Sequence, residues 1–292
     1  MRKLLLIIMI FNIPSAILAQ GMKDSHWKIF QTATGKTIEL PELVKATEKA
    51  QIIVFGEEHN DSLAHVVQEQ LYREMLEKYQ NVTLSLEMFE RDVQMIIDEY
   101  LAGLITEAKL KEEGRAWSNY ADYAPLMKLA KEKGQNAVAA NVPGRYANMV
   151  SRKGLGILIM LDRKAKRYFS TFELPEKNDL YLKKFTEAMG NHGQHMGPQF
   201  FHAQMLRDAT MAESIHSAWR KNRNTKILHL TGKFHSDEGL GTVRELKKRK
   251  KNLRVLTISC FPAEEFQVPN WPSYKNLADL IILTDPGKNN GD

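Results

Sequence analysis

Two short runs in this chain carry residue types that do chemistry. Gly56-Glu57-Glu58-His59 follows the apolar run Ile52-Ile53-Val54-Phe55, and Gly232-Lys233-Phe234-His235 follows Lys226-Ile227-Leu228-His229-Leu230-Thr231. Each is a Gly-x-x-His turn placed after a hydrophobic run. Imidazole and carboxylate suit several divalent metals, so His59 and His235 are candidate ligands of a divalent metal ion. Glu57 and Glu87 would complete the ligand set or act as a general base toward a metal-bound water. Without a metal, His59 and a glutamate still make a base and its orienter. The plainer reading is a polar strand-to-helix turn with acids near a helix N-terminus, and a capping or core histidine at 235.

A second set of side chains has iron-ligand chemistry. His192, His195, Met196, His202 and Met205 lie in and after a glycine-rich segment, and Tyr120 and Tyr123 fall in an aromatic stretch over 114–123. His, Met and Tyr are haem-iron ligand types. Tyr123 and His195 are nominated as haem ligands on that chemistry, against the plainer reading of a flexible loop with scattered histidines. Other chemistries find little support: there is no Gly-x-Ser-x-Gly elbow, no P-loop, and no Gly-x-Gly-x-x-Gly after the first strand.

The elements that must position these groups follow from hydrophobic periodicity. Ile52 to Phe55, Val82 to Leu86, Ala137 to Ala140, Lys226 to Leu230, Leu253 to Cys260 and Leu280 to Leu283 read as strands. Trp27 to Gln31 and Thr37 to Leu40 form a hairpin signal around Ala33-Thr34-Gly35-Lys36. Leu63, Val66, Val67, Leu71 and Met75 fall at helical spacing after Asn60 or Asp61, either of which can cap. Residues 90–134 are helical without strands, more than a crossover needs, and imply an excursion over the sheet's ligand edge. Helical segments are expected near 144–152 and 155–167, and a mobile stretch over 170–197. Pro198 begins a long helix to about Asn222 whose apolar stripe includes Asp208, an acid that needs a partner if buried.

The expected fold is α/β: a mainly parallel central sheet flanked by helices, with a helical lid or insert over the C-terminal edge of the strands. In such sheets ligands bind at that edge. Strand ends at Gly56-Glu57-Glu58-His59, Glu87, Asn141/Arg145 and Gly232-Lys233-Phe234-His235 would share one cleft. Asn141, Arg145, Arg207 and Asp208 are its supporting candidates.

The 292 residues, 43% hydrophobic and 26% charged, suit one large domain or one with a lid. Residues 1–19 read as a secretory signal peptide: Arg2 and Lys3, an apolar run from Leu4 to Phe11, and a cleavage region ending at Ala19. Gln20-Gly21 stands where a lipoprotein would carry its cysteine. The expected organisation is thus 1–19 signal peptide, 20–284 α/β domain with lid segments at 90–134 and 165–200, and 285–292 loose tail. The expected location is exported, periplasmic or associated with the outer membrane. The lone Cys260 makes no intramolecular disulfide. The net charge is +6, falling to about +4 once Arg2 and Lys3 are removed (39 basic against 35 acidic residues). The run Lys247-Lys248-Arg249-Lys250-Lys251 has no interleaved aromatics, so it reads as a solvated helix end, and nucleic acid is not an expected partner.

Five pieces together resemble the ChaN-like haem-binding uptake family, in the superfamily that also holds the Tiki metalloproteases and erythromycin esterases. They are Val54-Phe55-Gly56-Glu57-Glu58-His59, Ser85-Leu86-Glu87-Met88-Phe89, Ala140-Asn141-Val142-Pro143-Gly144-Arg145, the run from Ala203 to Glu213, and Leu230-Thr231-Gly232-Lys233-Phe234-His235. The resemblance implies an α/β domain with a helical lid and a role in haem or iron acquisition at the cell envelope. It carries Glu57, His59, Glu87 and His235 over as site residues, since the Gly-x-x-His turns match the superfamily's active-site motifs. The expected partners are haem, envelope haem-uptake components and a second copy in a homodimer. The alternative it leaves open is a metal-dependent hydrolase of protease or esterase type.

Overall fold

A computed structural model describes residues 26–190 and 197–288. In chain order the elements are β1 Trp27–Gln31, β2 Lys36–Ile38, α1 Leu40–Ala46, β3 Ile52–Glu57, α2 Ser62–Lys78, β4 Val82–Glu90, α3 Gln94–Leu101, α4 Glu107–Glu113 and α5 Tyr120–Glu132. Then follow β5 Ala137–Asn141, α6 Gly144–Lys153, α7 Leu180–Ala188, α8 Pro198–Lys221, β6 Lys226–Gly232, α9 Gly241–Arg249, β7 Val255–Pro262, α10 Trp271–Tyr274 and β8 Leu280–Thr284. Short 3-10 turns fill several of the gaps. The signal-peptide region lies outside the described residues. Among the described residues no helix is long and apolar enough to cross a membrane.

The strands form one eight-stranded sheet in the order β2-β1-β8-β7-β3-β6-β4-β5. From β8 to β5 every pairing is parallel; the β1–β2 hairpin adds an antiparallel edge. A strand buried on both faces must be apolar at successive positions, which explains the unbroken run of β3. Its residues divide by the two-residue period. Ile53 and Phe55 join the core under α2 and α5, whereas Ile52 and Val54 pack with Ala212, Ile215 and Val243 of α8 and α9.

Sequence neighbours are not spatial neighbours here. β6 lies between β3 and β4, although α2 joins those two strands directly. The turn after β6 is therefore flanked by the turn after β3 and by Glu87 of β4. Glu87 is not at the strand's end. β4 runs on to Glu90, with a register shift against β5 between Leu86 and Glu90. Such an irregularity re-aims side chains, and Glu87 turns toward β6.

The helix caps explain how the chain enters this edge. Asp61, rather than Asn60, caps α2, its Oδ1 accepting from the amides of Leu63 at 3.1 Å and Ala64 at 3.2 Å. Its Oδ2 accepts from Thr284 Oγ1 at 2.6 Å, tying the helix start to β8.

Three expectations differ in detail. Over 90–134, Ile97, Leu110, Tyr123, Leu126 and Leu129 share the core of Phe55 and Leu86, so these helices form a packed layer of the domain. Only the stretch from Trp117 to Tyr123 reaches the site edge. The helix expected at 155–167 is instead two 3-10 turns, Leu155–Met160 and Ala165–Tyr168, because Gly154 ends α6 with φ of 75°. The stretch expected to be mobile contains α7, capped by Asp179 through the amides of Tyr181 and Leu182.

At Gly56 the backbone of β3 passes close to the turn after β6. A Cβ there would lie 2.8 Å from Lys233 Cα and 2.3 Å from Ser236 Oγ. Gly56→Ala is expected to cost about 1–3 kcal/mol, as overpacked cores do, measured as a lowered urea midpoint. Wild-type stability in that variant would contradict the close approach.

Candidate functional site

The C-terminal ends of β3, β6 and β4 bring Glu57, His59, Glu87 and His235 together around Gly232. His59 follows β3 directly, and its Nδ1 lies 2.8 Å from Glu57 Oε1. Glu57 is fully buried as a side chain. It accepts a second hydrogen bond at Oε1 from Tyr123 Oη and one at Oε2 from Gln68 Nε2. His65 Nδ1 approaches Oε2 at 3.6 Å. The backbone is fixed too, since Asn119 Nδ2 donates to the His59 carbonyl at 3.0 Å. The Trp117 ring packs edge-on to the imidazole, with centroids 5.0 Å apart.

Glu87 faces the turn after β6. Its Oε2 accepts from Thr231 Oγ1 at 2.6 Å and from the Gly232 amide at 2.8 Å, and its Oε1 lies 3.4 Å from His235 Nε2. His235 Nδ1 meets Asp208 Oδ1 at 2.7 Å. Asp208, deep on α8, also accepts from Thr242 Oγ1 at 2.9 Å and Tyr181 Oη at 2.8 Å. The partner that its position on a buried face required is thus His235, with two hydroxyls, and not Arg207.

Gly232 is where the two turns touch. A Cβ there would lie 2.9 Å from His59 Nε2 and 3.8 Å from Glu87 Oε2. Only a residue without a side chain lets the His59 ring sit against this strand end.

The charges are strongly coupled. Burial opposes protonation of His235, but the Glu87 and Asp208 carboxylates outweigh it and its pKa is pushed up to about 10. Burial would raise the pKa of Glu87, yet His235 and His59, with the Thr231 hydroxyl, hold it well below the usual carboxylate range. Burial also opposes protonation of His59, and there the Glu57 hydrogen bond and the nearby carboxylates prevail and raise its pKa. His229, under this cluster in β6, is the reverse case: burial drives it down to about 4, and its Nδ1 sits 3.0 Å from Ser85 Oγ.

This arrangement does not suit a divalent metal. Both nitrogens of His235 already face carboxylates, Asp208 at 2.7 Å and Glu87 at 3.4 Å, so neither points into the cleft as a free donor. Among the described residues no group of three His, Cys, Asp or Glu side chains is arranged to hold a metal ion. What the cluster offers instead is one imidazole, His59, oriented by a buried carboxylate at a cleft of about 530 Å³. That cleft's walls carry the acids Glu57, Glu58, Glu187, Asp237 and Glu238 together with Lys184, which pairs with Glu238 at 2.5 Å, and Lys233, which pairs with Glu58 at 3.5 Å. Burial pushes Asp237 up to about 6, partly offset by Lys233 at 3.9 Å.

The remaining expected residues separate. Asn141 supports the site indirectly, donating to the Glu87 carbonyl at 3.1 Å, and Arg207 reaches Asn141 Oδ1 at 3.4 Å. Arg145 does not enter the cleft wall; its Nη1 pairs with Asp92 at 2.5 Å, in a network where Arg115 joins Asp92 to Glu90. Tyr123 is nearly fully buried, and the hydroxyl nominated for iron is engaged by Glu57. His195 lies outside the described residues. The sequence reading missed Gln68, Tyr181, Thr231 and Thr242. Gln68 was detectable, since it lies on the buried face of α2 between Ala64 and Leu71. Tyr181 carried no such signal; only the fold brings it to Asp208.

A family model described as haem-binding uptake, Tiki superfamily, ChaN, matches residues 43–246, which include both Gly-x-x-His turns and Glu87. The chain belongs to this ChaN family. The fold of this ChaN-family chain is similar to that of a structure showing cofacial haem binding to ChaN of Campylobacter jejuni. The TM-score is 0.67 at 14% identity, over 90% of this chain and 98% of that one. An erythromycin esterase mutant, EreC, in its open conformation aligns over 89% of this chain and 83% of that one, at 12% identity and a TM-score of 0.49. No curated protein matches the sequence.

The His235 cluster makes stability depend on pH. Because folding raises the His235 pKa from 6.5 to about 10, its contribution is complete below 6.5 and is lost as pH rises through that window. Glu87 acts oppositely, contributing above its ordinary value of 4.5 and losing its contribution as pH falls below it. Asp208→Asn is expected to cost about 3–5 kcal/mol at neutral pH and to flatten the alkaline decline. Urea denaturation across the window measures both, and an unchanged slope would show that the pair does not control it.

Proposed function

We propose that this ChaN-family chain is an exported haem-binding protein that serves haem and iron acquisition at the cell envelope. The observation that carries the reading is the family match, which spans the whole site-forming part of the sheet. The structural likeness to the Campylobacter jejuni protein over 90% of the chain is consistent with it. The leader-like residues 1–19 support export, and the partners are envelope components of haem uptake and a second copy of the chain. The haem supplies the iron; this chain supplies an apolar enclosure, cations for the propionates and an axial group. Of the two ligand candidates, Tyr123 is held by Glu57, so His195 is the one proposed.

Hemin titrated into the purified chain is expected to give a saturable Soret band. His195→Ala should shift that band and Tyr123→Phe should not, and the full-length chain should fractionate with the envelope. Binding that never saturates would sink the haem reading.

A second reading has one observation in its favour. His59, oriented by Glu57 at 2.8 Å and set at a cleft, is built as a general base for hydrolysis without a metal. An ester panel would then show turnover that survives chelators and disappears in His59→Ala. A silent panel removes this reading and leaves haem binding untouched.

A further inference from the structure

The basic run that stands out in the sequence, Lys247 to Lys251, is partly engaged by the fold. Lys248 pairs with Glu245 at 3.0 Å and Glu173 at 3.7 Å, and Arg249 donates to Ser170 Oγ at 2.5 Å. Freer cations lie after α6. Arg152, Lys153, Arg163, Lys164, Lys166 and Arg167 are all exposed, and none of them is in an ion pair among the described residues. Asp162 is the single acid over 152–167, so this stretch carries five net positive charges, six cations less one acid. Asp162 Oδ1 accepts from the Ala165 amide at 2.8 Å, which commits it to its own turn.

Two large apolar side chains stand outward in the middle of this stretch. Ile159 is 78% exposed and Met160 81%. Other strongly exposed large apolar side chains among the described residues stand singly along the chain, which is ordinary for a protein surface; these two are consecutive. They are firmly held. Leu158, the residue before them, is buried in a cluster with Val142, Val150 and Phe169, and the Lys166 ammonium donates to the Ile159 carbonyl at 2.9 Å. The turn therefore presents an apolar lip with cations before and after it in the chain.

Such a lip is complementary to a surface that is anionic at its face and apolar beneath. A bilayer containing anionic phospholipid has that order, phosphates outside and acyl chains below, and long Lys and Arg side chains reach the phosphates while apolar side chains enter deeper. Two apolar side chains are far less than the roughly 800 Å² per partner that a stable protein interface needs. On an anionic bilayer, by contrast, each Lys or Arg contributes separately, roughly fivefold in partitioning. We propose that Ile159, Met160 and the cations of 152–167 dock this chain on an anionic phospholipid membrane. This deepens the envelope part of the reading above and rests on it only for a membrane within reach; it needs no haem.

The test is sedimentation of the full chain with vesicles of equal parts phosphatidylglycerol and phosphatidylcholine. Every variant shares residues 1–19, so any binding through that apolar stretch is common to all. Partitioning is expected to fall with added salt and on pure phosphatidylcholine. Arg163→Glu with Lys164→Glu should lower it at least about tenfold, and Ile159→Ser with Met160→Ser several-fold. All four side chains are exposed, so the urea midpoint should not move. Met160→Trp should add an emission that brominated acyl chains quench. If both paired variants partition as wild type does, the lip is not the contact and the proposal is overturned. If the charge pair matters but the added indole is not quenched, the face is an electrostatic contact for another polyanion, and the proposal is again overturned. Hemin titration of the same variants separates the two readings. A saturable Soret band beside vesicle binding that ignores the lip leaves haem binding standing alone; lip-dependent vesicle binding without a saturable band leaves the membrane contact standing alone.

Discussion

The insertion of β6 between β3 and β4 is the constraint on which the site depends. It places the Gly232 turn against His59 on one side and Glu87 on the other. The close approach is possible because neither Gly56 nor Gly232 has a side chain at the contact. With β3 and β4 paired directly, Glu87 would have neither the Thr231 hydroxyl nor the Gly232 amide as partners, and a buried carboxylate without partners is expensive. Topology, glycine placement and the tolerance of a buried acid are therefore one problem with one solution.

The same edge shows how buried charge is managed. Asp208, His235 and Glu87 run in line, cation between anions, with hydroxyls from Tyr181, Thr231 and Thr242 taking further lone pairs. Glu57 is satisfied by a phenol, an amide and an imidazole. A network satisfied to this degree is rigid. It also leaves little donor capacity for a metal, although the residue types read in isolation are metal-ligand types. His59 differs from its counterpart His235 because it is partly open to the cleft.

Charge is also sorted over the surface. At the strand-end cleft acids stand beside the paired lysines Lys184 and Lys233, while the segment after α6 carries exposed cations beside the exposed apolar side chains of Ile159 and Met160.

Much of this was legible in the sequence. Strand positions followed from continuous apolar runs, because strands buried on both faces have no polar positions to alternate. The two Gly-x-x-His turns and Glu87 stood out because polar groups directly after such runs must lie at a sheet edge. The need of Asp208 for a partner followed from its place on an apolar stripe. What the sequence could not supply was the lateral order of the strands and the pairings that depend on it. Tyr123 had iron-ligand chemistry in the sequence and became a hydrogen-bond donor to Glu57; Arg145 was expected at the cleft and pairs with Asp92; Tyr181 lay in an apparent loop and closes the Asp208 network. Periodicity reports which face of an element is buried. Which groups meet across that face is decided by contacts between residues far apart in the chain, and those exist only once the sheet has assembled.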